Sequence, residues 1–131
     1  MGEGVPENGA EAVKWYRKAA EQGNAPSQLQ LGHMYLEGWG VPKNGAEAEK
    51  WFRKAAEQGD AHGLWRLGFM YDNGNDIPQN FVKAYMWYSL AKAQGLENAA
   101  TDLDIVQKRM TPADISEAQR LAREWLEEHG E

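Results

Sequence analysis

Residues 4–25 read GVPENGAEAVKWYRKAAEQGNA, and residues 40–61 read GVPKNGAEAEKWFRKAAEQGDA. The two stretches differ only at Glu7/Lys43, Val13/Glu49, Tyr16/Phe52 and Asn24/Asp60, and the offset from 4 to 40 is 36 residues. A looser third copy keeps that register: Ile77, Pro78, Asn80, Ala84, Trp87, Tyr88, Ala91, Gln94 and Gly95 stand where Val41, Pro42, Asn44, Ala48, Trp51, Phe52, Ala55, Gln58 and Gly59 stand. The stretches between the copies repeat too, with Leu31-Gly32, Met34-Tyr35 and Gly38 returning as Leu67-Gly68, Met70-Tyr71 and Gly74. A fixed period of this length is the mark of stacked supersecondary units, each holding two segments.

Both segments of the unit read as helices. Asn8 and Asn44 stand where a side-chain oxygen caps free backbone amides, and Glu11 and Glu47, three residues on, complete the pattern of a capping box. Ala48, Trp51, Phe52, Ala55 and Ala56 recur at three- and four-residue steps and form one apolar stripe. Gly23, Gly59 and Gly95 then stop these helices, because glycine accepts the left-handed conformation that follows a helix end. In the leading segment, Ser27, Leu31 and Tyr35 with Gly32 beside them form a stripe that Gly63, Leu67, Tyr71 and Gly68 repeat. The spacing predicts helices near 9–22, 26–37, 45–58, 61–73, 81–94, 97–110 and 112–129.

Composition sets the class. The chain has 131 residues, of which 42% are hydrophobic and 26% charged, and no apolar run reaches membrane-spanning length, so a globular chain without membrane insertion is expected. Net charge is −6, from 20 acidic and 14 basic residues with no long block of either sign, so no nucleic-acid partner is expected. There is no cysteine, which suits cytoplasm and bacterial periplasm alike and leaves the compartment open. The opening Met-Gly-Glu-Gly-Val-Pro lacks the basic and apolar regions of a signal peptide.

The ordered pattern Leu-Gly-x-Met-Tyr-x-x-Gly, Gly-Val-Pro-x-Asn, Ala-x-x-Trp-aromatic-x-Lys-Ala-Ala-x-Gln-Gly resembles the Sel-one-like repeat family, relatives of the tetratricopeptide repeat. The resemblance implies an all-α, right-handed α-α superhelix that serves as an adaptor or scaffold for protein complexes, often in bacterial signalling, envelope or host-contact settings, with no cofactor. On this reading residues 1–131 form a single solenoid. Its parts are a half unit at 4–24, full units at 25–60 and 61–96, a degenerate unit at 97–110 and a capping helix at 111–131. Gly2-Glu3-Gly4 aligns with Gly38-Trp39-Gly40, so the first unit lacks its leading helix and the chain reads as a segment of a longer array. After Leu103 the pattern decays, with Asp104 and Gln107 at the Gly68 and Tyr71 positions. Thr111-Pro112-Ala113-Asp114 then opens a helix whose apolar face is Ile115, Ala118, Leu121, Ala122 and Trp125.

Signals of chemistry are sparse. Ser89-Leu90-Ala91-Lys92 has the S-x-x-K spacing of penicillin-recognising enzymes, and a cysteine-rich branch of the resembled family is associated with β-lactam binding, so a β-lactam-interacting hydrolase is the alternative to a scaffold. Neither S-D-N nor K-T-G follows it, and Ser89 occupies the mid-helix position of Arg53. His33, His62 and His129 lack zinc-site spacing, and no phosphate-binding glycine loop is present, so neither metal nor nucleotide is expected. Trp15, Trp51 and Trp87 recur at the repeat period and are expected in the core.

With Ser27, Leu31 and Tyr35 turned inward, a helix advancing about 100° per residue presents Leu29, His33, Leu36 and Glu37 on its other side. The next unit presents Trp65, Phe69, Asp72 and Asn73, with His62 near the helix start. By the resemblance these nine residues line a partner-binding groove for a protein or peptide segment. Around Val13, Trp15, Tyr16 and Ala20 the first helix is expected to lie open, which makes it a surface for weak self-association.

Overall fold

The computed structural model describes residues 8–74 and 76–129, so Gly2–Pro6, aligned above with the start of the second repeat, and the last two residues lie outside it. The described residues form seven helices and no strand: α1 (Gly9–Glu21), α2 (Ala25–Glu37), α3 (Gly45–Glu57), α4 (Ala61–Asn73), α5 (Phe81–Ala93), α6 (Asn98–Gln107) and α7 (Pro112–His129). Successive helices from α1 to α6 pack as neighbours, which gives an all-α helical-repeat solenoid.

Helix boundaries follow from their caps. Asn8, Asn44 and Asn80 accept the amides of Glu11, Glu47 and Lys83, and Asn24 and Asp60 do the same for the leading helices through Ser27, His62 and Gly63. Only one arm of the expected capping box forms at Asn44. Its own N–H donates to the Tyr35 carbonyl at 2.9 Å, and Asn80 N–H donates to the Tyr71 carbonyl at 2.9 Å, so the peptide that a capping glutamate would satisfy is already bonded to the preceding helix. Gly23, Gly59 and Gly95 have φ of 93°, 82° and 101°. In that conformation the next residue bonds back to Ala19, Ala55 or Ala91 and closes the helix end.

Packing repeats with the same period. Gly32 lies against Phe52, and Gly68 against Tyr88, so closely that an added Cβ would fall 2.7 Å and 2.6 Å from the rings. The glycine is therefore a socket, and the aromatic ring of the following helix fills it. Leu31, Leu67, Phe52, Tyr88, Trp51 and Trp87 are all buried at 3% exposure or less. Gln28, itself buried, donates to the Ala20 carbonyl and accepts from Gln58, which ties α1, α2 and the end of α3 together.

Two expectations are corrected at the first helix. Trp15 is 49% exposed and not core, whereas Trp51, one repeat later, is 3% exposed and Trp87 is 2% exposed. The open patch is also narrower than expected: Val13 and Ala20 are buried under α2, Tyr16 is half-buried edge-on to Trp15, and Trp15 alone is exposed, flanked by Glu11, Lys14 and Lys18. At the other end α6 is shorter than expected, has no side-chain cap at Glu97, and buries only Ala99 and Val106. Helix α7 lays Ala118 and Ala122 into the core and packs Trp125 edge-on to Trp87 at 4.8 Å, so its main neighbour is α5.

Candidate partner-binding groove

The exposed faces of α2, α4 and α6 meet in one cavity of about 380 Å³, lined by Leu29, Gln30, His33, His62, Trp65, Arg66, Leu96 and Asn98. Each leading helix contributes from the same register, because the capped turns at Asn24 and Asp60 start α2 and α4 at equivalent points and the 36-residue period brings Asn98 of α6 level with His62. An adjoining hollow formed by Gln30, His33, Met34, Glu37 and Trp39 shares Gln30 and His33 with the first and extends it along α2.

Four of the nine residues expected in the groove, Leu29, His33, His62 and Trp65, come together in the main cavity, and Glu37 lines its extension. Leu36 does not: at 5% exposure it belongs to the core, and Met34 and Glu37 hold the adjoining surface. Phe69 is half-buried beside Trp65, with ring centroids 5.8 Å apart, and supports the aromatic floor from outside the cavity. Asp72 turns away to accept the Tyr88 hydroxyl at 3.0 Å, and the exposed Asn73 amide donates to the Phe69 carbonyl at 2.9 Å. Gln30, Arg66, Leu96 and Asn98 were not foreseen. A strict comparison of Pro26, His62 and Asn98, and of Gln30, Arg66 and Asp102, would have found most of them, but the decay of the pattern after Leu103 hid the contribution of α6.

Trp65 is held on both sides. Its indole N–H donates to an Asp102 carboxylate oxygen at 2.7 Å, and the Arg66 guanidinium lies 4.9 Å from its ring centroid. Burial lowers the His33 pKa below its ordinary 6.5 and the nearby positive Arg66 lowers it further, while Glu37 acts in the opposite direction. Burial lowers Arg66 as well, against the attraction of Glu37. No three His, Asp or Glu side chains among the described residues are grouped as metal ligands. Ser89 is half-buried in mid-α5 and Lys92 is exposed on its last turn, on a trailing helix rather than in the groove.

A second polar cluster lies at the contact of α3 with α4. The Tyr71 hydroxyl donates to Glu49, which also pairs with Arg53 at 3.3 Å, and burial together with this carboxylate pushes the Tyr71 pKa up to about 12. One unit earlier Val13 replaces the carboxylate and Arg17 donates directly to the Tyr35 hydroxyl. One unit later Tyr85, Ser89 and Gln107 hold the equivalent positions, and Tyr85 accepts from Gln119 of α7. This cluster joins units to one another.

The Sel1 repeat family model matches residues 1–24, 25–60 and 61–96. A protective antigen present in uropathogenic Escherichia coli strains, displaying an SLR fold, is 33% identical with a TM-score of 0.85, over 92% of this chain and 26% of that one. A Sel1 repeat protein from Oxalobacter formigenes is 41% identical with a TM-score of 0.70, over 78% of this chain and 42% of that one. The chain thus spans less than half the length of either solved relative. No curated protein matches it. Matched by the family model over well more than half of its residues and folded like these relatives, the chain belongs to the Sel1 repeat family.

Proposed function

We propose that this chain is a docking module, which binds an extended segment of a partner protein in the groove formed by α2, α4 and α6. Repeats of this family generally mediate protein–protein interactions. The observation that carries the finer reading is the continuity of the cavity across three successive leading helices, with a half-buried tryptophan at its floor and polar groups at its rim. Aromatic side chains in such a setting supply large contact area at small entropic cost and are the usual anchors of interfaces. No described helix is long and apolar enough to cross a membrane.

The test is selection of binding segments from a displayed random-peptide library, followed by affinity measurements on the selected peptides with Trp65→Ala, Phe69→Ala and the double variant. Trp65→Ala should weaken binding by about 2 kcal/mol or more, roughly thirtyfold in Kd. Phe69→Ala, acting through the tilt of Trp65, should have a smaller effect. Unchanged affinity in the double variant, with the helical content of the parent, would remove the groove from the binding surface.

A further inference from the structure

The groove departs from the charge of the molecule that carries it. The chain has a net charge of −6, yet the ionisable side chains lining the main cavity are His33, His62 and Arg66, with no carboxylate among them. Arg66 is half-buried with its guanidinium 4.9 Å from the centre of the Trp65 ring, and among the described residues it belongs to no ion pair. Two carboxylates stand beside this corner. Glu37 of α2 acts on both Arg66 and His33 from the adjoining hollow, and Asp102 of α6 is engaged by the Trp65 indole. A half-buried guanidinium beside an indole, with no ion pair or side-chain hydrogen bond among the described residues, keeps its donor edge open to a planar anion, and carboxylate matches it with two parallel hydrogen bonds. Beside it Leu29, Trp65 and Leu96 provide apolar surface, which a polyphosphate backbone would leave unused.

We infer that the groove takes an acidic peptide segment, one Asp or Glu carboxylate pairing with Arg66 and a neighbouring apolar side chain seated against Leu29, Trp65 and Leu96; this rests on the groove being the docking surface. Burial costs the Arg66 cation hydration that Glu37 offsets in part, and an incoming carboxylate would offset more of it. The self-repulsion of an acidic chain and an acidic ligand is outweighed only near this basic corner, so both selectivity and salt dependence should reside in Arg66.

Four probes test it: fluorescein-labelled octapeptides with a central Leu-Phe pair flanked by glutamate, by serine or by lysine, and an eight-nucleotide thymidine oligomer. Binding is read by anisotropy, and its place by the indole N–H resonance of Trp65, assigned with Trp65→Phe. The glutamate peptide should bind at least tenfold more tightly than the lysine peptide and shift the Trp65 resonance. Arg66→Glu should reverse that order, and Arg66→Lys should keep the order with reduced affinity, both with parental circular dichroism. Equal binding of the glutamate and lysine peptides, an unchanged order in Arg66→Glu, preference for the oligonucleotide, or no binding of the glutamate peptide would each overturn the charge assignment. If the serine or lysine peptide shifts Trp65 and the glutamate peptide does not, the groove stands while its acidic preference falls. If the glutamate peptide binds without moving Trp65, the groove itself is refuted.

Discussion

The two contacts from α2 to α3 and from α4 to α5 are near copies of one another, whereas α6 and α7 fail to make a third. In the regular contacts a glycine, Gly32 or Gly68, opens a socket and an aromatic ring, Phe52 or Tyr88, enters it. At the C-terminal end Asp104 replaces the glycine and Glu124 stands where the ring would be, so socket and ring are lost together. Helix α7 then finds its apolar surface on α5, with Trp125 edge-on to Trp87. A repeat therefore propagates through a two-residue lock more than through general hydrophobicity, and removing both halves diverts the next helix to another surface.

Substitutions that attack the lock and its flanks should rank accordingly. The largest effect is expected from Trp87→Ala, which empties a fully buried site shared by α5 and α7 and should cost about 3–5 kcal/mol in chemical denaturation. Its counterpart Trp15→Ala, at an exposed position, should cost no more than about 1 kcal/mol. Equal losses for the two would undo the distinction between covered and uncovered repeat tryptophans. Next comes Gly68→Ala, whose Cβ would meet the Tyr88 ring at 2.6 Å, with an expected cost of about 1–3 kcal/mol from overpacking. The matching substitution on α6, Asp104→Ala, should lie within about 0.5 kcal/mol of the parent. A neutral Gly68→Ala would show that the socket is not needed.

Smaller again is Asn80→Ala, which removes the cap of α5 and should cost about 1 kcal/mol. No such loss is available at Glu97, where α6 has no side-chain cap. The smallest effect belongs to His33. Its pKa is lowered in the folded chain, so the unfolded chain binds the proton more readily. The stabilising difference is present above pH 6.5 and fades as pH falls through the folded value. His33→Gln should therefore lose less Tm than the parent between pH 7 and pH 5. An identical decline in the two proteins would remove His33 as a contributor.

Sequence reading succeeded where periodicity and local chemistry agree. Asn8, Asn44, Gly23 and Gly59 give the helix ends, the stripe from Ala48 to Ala56 gives the buried face, and the 36-residue register gives the architecture. It was less reliable where a residue's setting depends on a neighbour far along the chain. Trp15 and Trp51 occupy the same local pattern, yet Trp51 is buried and Trp15 is half exposed. The groove was half legible for the same reason. Leu29, His33 and Trp65 follow from the helical wheel, but Leu36 was misplaced because its angular position lies at the margin of the buried stripe, and Leu96 and Asn98 were hidden by the decay of the repeat pattern after α5.

The backbone bonds from Asn44 to Tyr35 and from Asn80 to Tyr71 close the two linkers into rings of equal size. A residue added or deleted inside either ring is expected to strain its closure and shift the following helix relative to its glycine socket. Duplication or removal of a whole 36-residue block leaves every ring and every socket as it was. Length in this molecule is thus expected to change in whole steps: recombination by complete units preserves the packing pattern, while a change of one residue between Tyr35 and Asn44 should disturb it.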